Sequence, residues 1–159
     1  YTNGEMMHQD SIHFADSLKY KTVSGRTVYG GGGIMPDIFI PVDTTYRSTY
    51  LNRVFYKGLV NDFSFSYADK HRASFSTYKT AADYDKNYTP PQALLNEFVE
   101  FAIKNGIPKN DVQLKKSKAY LLSQIKALMG RNLFDNEAYY PVILKEDKVF
   151  EEALKTLAK

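Results

Sequence analysis

The sequence predicts an α+β fold that is mainly α, with a short antiparallel β-hairpin and strand segment followed by a helical bundle. Three observations lead there. Residues 20–45 gather β-branched and aromatic residues among Gly25, the run Gly30 to Gly33, Pro36 and Pro41. After Asp43 the apolar residues recur at spacings of three and four, the period of an amphipathic helix. The chain has 159 residues, 43% hydrophobic and 25% charged, which is the balance of an ordinary globular chain with enough length for one core. The composition change falls near Asp43 to Thr45, so the expected division is residues 1–44 and residues 45–159.

Tyr20 to Val23 and Arg26 to Tyr29 are short runs of Thr, Val and Tyr separated by Ser24 and Gly25, a pair suited to a two-residue hairpin turn. The glycine run that follows favours an irregular loop, because each glycine loses more backbone freedom on ordering and contributes no side-chain burial. Asp37 to Val42 reads as a third strand, confined to an edge because Pro36 and Pro41 lack the amide hydrogen of a central ladder.

The helical part begins with Asp43, Thr44 and Thr45 as expected N-caps and Tyr46, Tyr50, Leu51, Val54 and Phe55 on one face, ending at Gly58. Leu59, Val60, Phe63, Tyr67, His71, Phe75 and Tyr78 continue the stripe as a second helix. Lys79 to Tyr88 is polar and aperiodic and reads as a connection. Thr89, Pro90, Pro91 and Gln92 have capping-box spacing with proline at the first helical position, opening a helix that carries Leu94, Leu95, Phe98, Val99, Ala102 and Ile103 to Gly106. Asn110 and Gln113 repeat the capping spacing. They open a fourth helix through Leu114, Tyr120, Leu121, Ile125 and Leu128, with continuation through Gly130 toward Phe134 costing about 1 kcal/mol relative to alanine. Glu137 to Leu144 is helical in pattern with Pro141 inside it, and Asp147 caps a last helix with Phe150, Ala153, Leu154 and Leu157 expected to face inward.

Several function classes are excluded or disfavoured. With no cysteine there is no thiol nucleophile, thiolate zinc site or iron-sulfur cluster. Twenty-one Lys and Arg against eighteen Asp and Glu leave a net charge of +3, and the densest basic stretch, Lys115, Lys116 and Lys118, reads as the solvated face of a helix, so no nucleic-acid partner is expected. The apolar runs fall far short of the roughly 20 residues needed to cross a bilayer. The polar stretch Tyr1 to Asp10 reads as part of a longer protein, so the lack of a signal pattern does not locate it.

The chemistry-bearing residues do not form a constellation. The glycine run is followed by a proline and an extended segment rather than a helix N-terminus, so it is no phosphate cradle. His8 and His13 stand five apart, a spacing that does not stack them for a metal, and His71 on the aromatic stripe reads as a boundary histidine. Ser17 and Lys21 are spaced to be neighbours on a helix, yet a Ser-Lys nucleophile pair needs a desolvated lysine and an oxyanion hole beside it. No catalytic residue, cofactor site or metal site is assigned.

The segment from Tyr20 through Gly25 and Arg26 to Gly33, Ile34, Pro36, Asp37 and Ile38 resembles part of the carboxyl-terminal processing (tail-specific) proteases, peptidase family S41. What repeats the family pattern is the Gly25-Arg26 pair, a short run to glycine, then Gly32, Gly33, Ile34, Pro36 and Asp37 leading into an apolar strand. The likeness covers residues 20–43 well and grows weaker through the helices. It implies a serine endopeptidase with a Ser-Lys dyad, usually with a PDZ module that captures substrate C-termini, acting in the periplasm or at the cell envelope. The small-residue serine motif and the glycine-flanked lysine of that family lie upstream of the matching segment and are absent from this chain. Gly25, Arg26, Gly32, Gly33, Ile34, Pro36 and Asp37 are therefore expected to be structural, a turn and a re-entering strand, with Arg26 pairing to Asp37.

On this resemblance residues 1–44 end a protease core and residues 45–159 form a C-terminal helical domain that packs on it, positions substrate or self-associates. The expected partners are the remainder of the core, a protein or peptide substrate through the parent enzyme, and a second copy as homodimer by exchange of the extended N-terminal segment. The rival reading is a helical protein- or peptide-binding module whose aromatic stripe forms a recognition groove.

Overall fold

The computed structural model describes residues 16–25, 27–30 and 38–158. It divides into two compact units, Tyr1–Asp43 and Thr44–Lys159. The described part is mainly helical, with a short two-stranded antiparallel sheet in the first unit.

In the first unit a 3₁₀ turn, Asp16–Leu18, leads into β1 (Lys19–Lys21), which pairs with β2 (Thr27–Tyr29) through Lys19 with Tyr29, Tyr20 with Val28 and Lys21 with Thr27. The expected two-residue turn is replaced by a longer loop. The Gly25 amide donates to the Thr22 carbonyl at 2.8 Å, and Gly25 takes φ 81°, a left-handed conformation that strains any other residue. Thr22 and Val23, expected to end the first strand, consequently lie in the loop with Ser24, and the register moves by one residue from the pairing a Ser24-Gly25 turn would set. The expected third strand is absent among the described residues: 38–44 are irregular, and Pro41 has no amide hydrogen to extend a ladder.

Among its described residues the second unit carries eight helices. α1 (Thr49–Tyr56) is capped by Ser48, whose hydroxyl accepts from the Leu51 amide at 3.1 Å, not by Asp43, Thr44 or Thr45. Gly58 at φ 71° turns the chain into α2 (Leu59–Lys70). The aromatic stripe does not continue as one helix to Tyr78. It breaks at His71, which ends α2 and starts the single turn α3 (Arg72–Phe75).

The polar stretch expected to be a connection is helical. α4 (Ala81–Asn87) begins at Thr80, whose hydroxyl accepts from the Asp83 amide at 3.1 Å, while the Asp83 carboxylate accepts from the Lys79 amide at 3.1 Å. α5 (Gln92–Lys104) starts two residues later than the Thr89 cap implied. Its N-cap is Pro91, which offers no side-chain bond, and the Leu94 amide donates to the Pro91 carbonyl. At its end the Gly106 amide donates to Ile103 and the Ile107 amide to Ala102, both at 2.9 Å, a Schellman closure that folds Ile107 fully into the core.

α6 (Asp111–Phe134) opens on Asn110, whose side chain accepts from the Gln113 amide at 3.0 Å, and runs without interruption through Gly130. It is the central element. Leu121, Ile125, Ala127 and Met129 are all solvent-inaccessible because α6 is covered by α1 and α2 and by α4 and α7. α7 (Asn136–Leu144) follows after one residue, with Pro141 in its interior, where its ring removes the amide hydrogen owed to the exposed Glu137. α8 (Lys148–Leu157) is capped by Asp147, whose carboxylate accepts from the Val149 and Phe150 amides. Its apolar residues do not face inward as expected: the helix buries none of them, and Val149, Phe150, Leu154 and Leu157 are exposed.

The core joins Val54, Val60, Phe63, Leu94, Phe98, Leu121 and Ile125. Phe63 meets Phe98 edge-on with centroids 5.3 Å apart. A second aromatic group, Phe75, Tyr78, Tyr84 and Tyr88, closes one end, with Tyr84 stacked on Tyr88 at 5.1 Å and Phe75 edge-on to Tyr88 at 5.2 Å.

Candidate functional site

Of the family-motif residues only Gly25 lies among the described ones, at the hairpin turn, with open space around its Cα. Arg26, Gly32, Gly33, Ile34, Pro36 and Asp37 lie outside the described residues, as do the Arg26–Asp37 pairing, His8 and His13. Ser17 and Lys21 are not helical neighbours, since Ser17 is in a 3₁₀ turn and Lys21 ends β1. His71 caps α2 with its Nδ1 at 2.9 Å from the Tyr67 carbonyl oxygen, and its ring stacks on Tyr67 at 4.1 Å. No group of three or more His, Asp or Glu among the described residues is placed to hold a metal ion.

What the helices bring together instead are grooves and polar seams. One groove, about 540 Å³, runs between α5 and the first half of α6 over Leu95, Val99 and Leu114, with Gln92, Lys115 and Lys118 on its walls. Lys118 Nζ donates to Gln92 Oε1 at 2.6 Å, and Gln92 Nε2 donates in turn to Asn96 Oδ1 at 3.1 Å, so one wall is an ordered row of polar groups. Lys115, Lys116 and Lys118 are all exposed, as a solvated helix face requires, and two of them, Lys115 and Lys118, also line this groove. A second groove of about 450 Å³ between α2 and α5 has Phe63 and Phe101 at its base and Lys70, Glu97 and Lys104 at its rim. Burial, with the charge of Glu97 adding to it, raises the Tyr67 hydroxyl pKa there. Apolar floors with polar rims have the shape and chemistry suited to extended polypeptide or a helix.

An electrostatic cluster joins α4, α6 and the end of α7. Lys145 Nζ lies 2.7 Å from both carboxylate oxygens of Asp85, and Lys126 Nζ donates to the Asp85 carbonyl at 2.7 Å. Burial lowers the Lys126 pKa despite the nearby Asp85 carboxylate, which pulls it the other way. A desolvated lysine is what a Ser-Lys pair requires, but this ammonium is committed to Asp85, and no serine hydroxyl bonds to it among the described residues. Its role is to tie helices together.

A second seam fastens α1 to α6. Ser117, fully buried, donates its hydroxyl hydrogen to the Tyr46 carbonyl at 2.8 Å, so at the 2.7 Å contact between the two serines Ser48 must be the donor. Gln113 Oε1 accepts from the Tyr50 amide at 2.6 Å, and Tyr46 stacks on Tyr120 at 3.9 Å. Sequence reasoning overlooked both seams. The Thr80-x-x-Asp83 spacing announces α4, whereas nothing in the local pattern around Ser117 distinguishes a buried serine from an exposed one.

The fold and its surfaces therefore define a helical-bundle module with open grooves, accompanied by a β-hairpin unit. A family of unknown function, DUF8443, matches residues 50–135, more than half of the chain, and the protein belongs to that family. No curated protein and no solved structure matches it. The matched residues run from α1 through α6 and leave the hairpin outside.

Proposed function

We propose that this chain is the C-terminal, non-catalytic portion of a serine endopeptidase similar to the carboxyl-terminal processing proteases, with the hairpin segment belonging to the protease core and the helical unit acting as scaffold or substrate-positioning element. The observation that carries the reading is the turn glycine, Gly25. The resembling segment contains a glycine at the point where the hairpin reverses, and Gly25 occupies a left-handed conformation there. The nucleophile and lysine are assigned to the parent enzyme, outside this sequence, and an extracytoplasmic site of action follows from the resemblance alone.

The experiment has two arms. This chain, purified, is expected neither to digest an unfolded protein nor to be labelled by a fluorophosphonate; either result would overturn the assignment. In the parent, deleting residues 45–159 is expected to alter activity or substrate choice.

A second reading, a helical protein- or peptide-binding module, draws on α8, a ten-residue helix whose Val149, Phe150, Leu154 and Leu157 are uncovered. A helix this short is marginal in water without packing. An unchanged peptidase after deletion of residues 45–159 would favour this reading.

A further inference from the structure

The connection between α6 and α7 is a single residue, Asp135. Its amide donates to the Arg131 carbonyl at 3.0 Å as the last turn of α6, and its carbonyl accepts from the Ala138 amide at 3.2 Å as the first turn of α7. Between these bonds it adopts φ 56° and ψ −154°, the one positive φ at a non-glycine among the described residues. A side chain in that region is strained and persists only where the surroundings over-determine it. The Asp135 side chain supplies no compensation, being exposed and making no capping bond.

The compensation comes from α7's docking. A Cβ on Gly130 would lie 3.0 Å from the Ala138 Cβ, Arg131 lies over the Tyr139 ring at 5.6 Å, and Lys145 holds the Asp85 carboxylate. All of these contacts join α7 to α4 or α6. A second copy of the chain can make them equally well.

Nothing at the junction stops a helix. Residues 131–138 contain neither glycine nor proline, and Pro141 already sits in a helix interior, so extending α6 through it adds no new cost. Rotating Asp135 alone into the right-handed helical region would join α6 and α7 into one helix over residues 111–144 and release the strain. α8 travels with α7 without removing any buried residue from the core.

We propose that α7 and α8 form an exchangeable arm: α6 straightens through Asp135, and α7 docks onto α4 and α6 of a second copy, giving a reciprocally swapped dimer. Short, strained connections are where such exchange occurs. This inference does not depend on the protease reading.

The chain lacks cysteine, which permits a direct test. Lys86→Cys and Glu146→Cys variants of the 159-residue chain, next in sequence to the Asp85–Lys145 pair, are unfolded together, refolded at high concentration and treated with a flexible bis-maleimide. A covalent heterodimer is expected, with dimer mass confirmed by sedimentation velocity without the reagent. Placing Asp135→Gly in both chains removes the strain of the bent elbow and weakens the straight helix. It is expected to lower the dimer association constant about 30-fold, equivalent to about 2 kcal/mol for two elbows, while circular dichroism shows the variant folded. Asp135→Ala, which keeps the strain and favours helix, is expected to raise the constant. A chain that stays monomeric throughout, or a dimer equally abundant in Asp135→Gly, overturns the proposal.

Discussion

The Tyr84 ring lies against the backbone of Gly130, so close that a Cβ added there would stand 2.9 Å from Tyr84 Cε1. Helix propensity alone favours alanine at this interior position by about 1 kcal/mol. Crowding against Tyr84 and Ala138 reverses the sign, since overpacking of a filled core typically costs about 1–3 kcal/mol. Gly130→Ala is therefore expected to lower the unfolding midpoint in urea; a raised midpoint would contradict this packing.

Tyr84 is solvent-inaccessible, yet its hydroxyl donates to the Lys126 carbonyl at 2.9 Å. Tyr84→Phe keeps the ring and removes the bond. The expected loss is about 1 kcal/mol, the ordinary net worth of one hydrogen bond, read from denaturant unfolding with an unchanged m-value.

Ser117 is the hub of the α1 seam. In Ser117→Ala the Tyr46 carbonyl loses its donor and the Ser48 hydroxyl its acceptor. Leaving buried polar groups unpaired costs about 1–3 kcal/mol. Amide hydrogen exchange should show the loss concentrated at residues 49–56.

Alkaline pH should destabilise the helical unit. Burial, followed by the neighbouring Tyr46, pushes the Tyr120 hydroxyl up to about 12, and burial raises Tyr84 and Tyr88 further. A pKa higher in the folded state than its usual value near 10 means the folded chain keeps a proton that the unfolded chain releases. That contribution is complete below pH 10 and declines as pH rises from about 10 to about 12. Thermal midpoints should fall over that interval, and the ultraviolet titration of tyrosinate should show a fraction ionising only on unfolding.

Removing α8 should scarcely affect the rest. Because the helix buries none of its residues, a chain ending at Glu146 should retain the core's unfolding free energy within about 0.5 kcal/mol, the range of changes away from core features. A larger loss would show that its apolar face is covered in solution.

Local chemistry made much of this fold legible. Asn110 and Asp147 are read correctly as caps because a side-chain oxygen two or three residues ahead of an amide acts within one turn, and Gly58 and Gly106 end helices because their left-handed backbone is available to glycine. Where two caps competed, sequence alone chose wrongly. Thr89 has the right spacing but two prolines intervene, and Ser48, rather than Asp43, Thr44 or Thr45, caps α1, being the residue that also reaches Ser117.

Amphipathic period, capping chemistry and the turn glycine were determined by the sequence itself, because each acts between residues a few positions apart. Only the tertiary structure decided that α4 exists as a packed helix around Tyr84, that Gly130 is a contact rather than a flaw, that Asp135 bends the chain and that α8's apolar face stays uncovered. These outcomes depend on which distant elements meet. A periodic apolar face shows that a surface is suited to burial, while the packing of the other helices determines whether anything buries it.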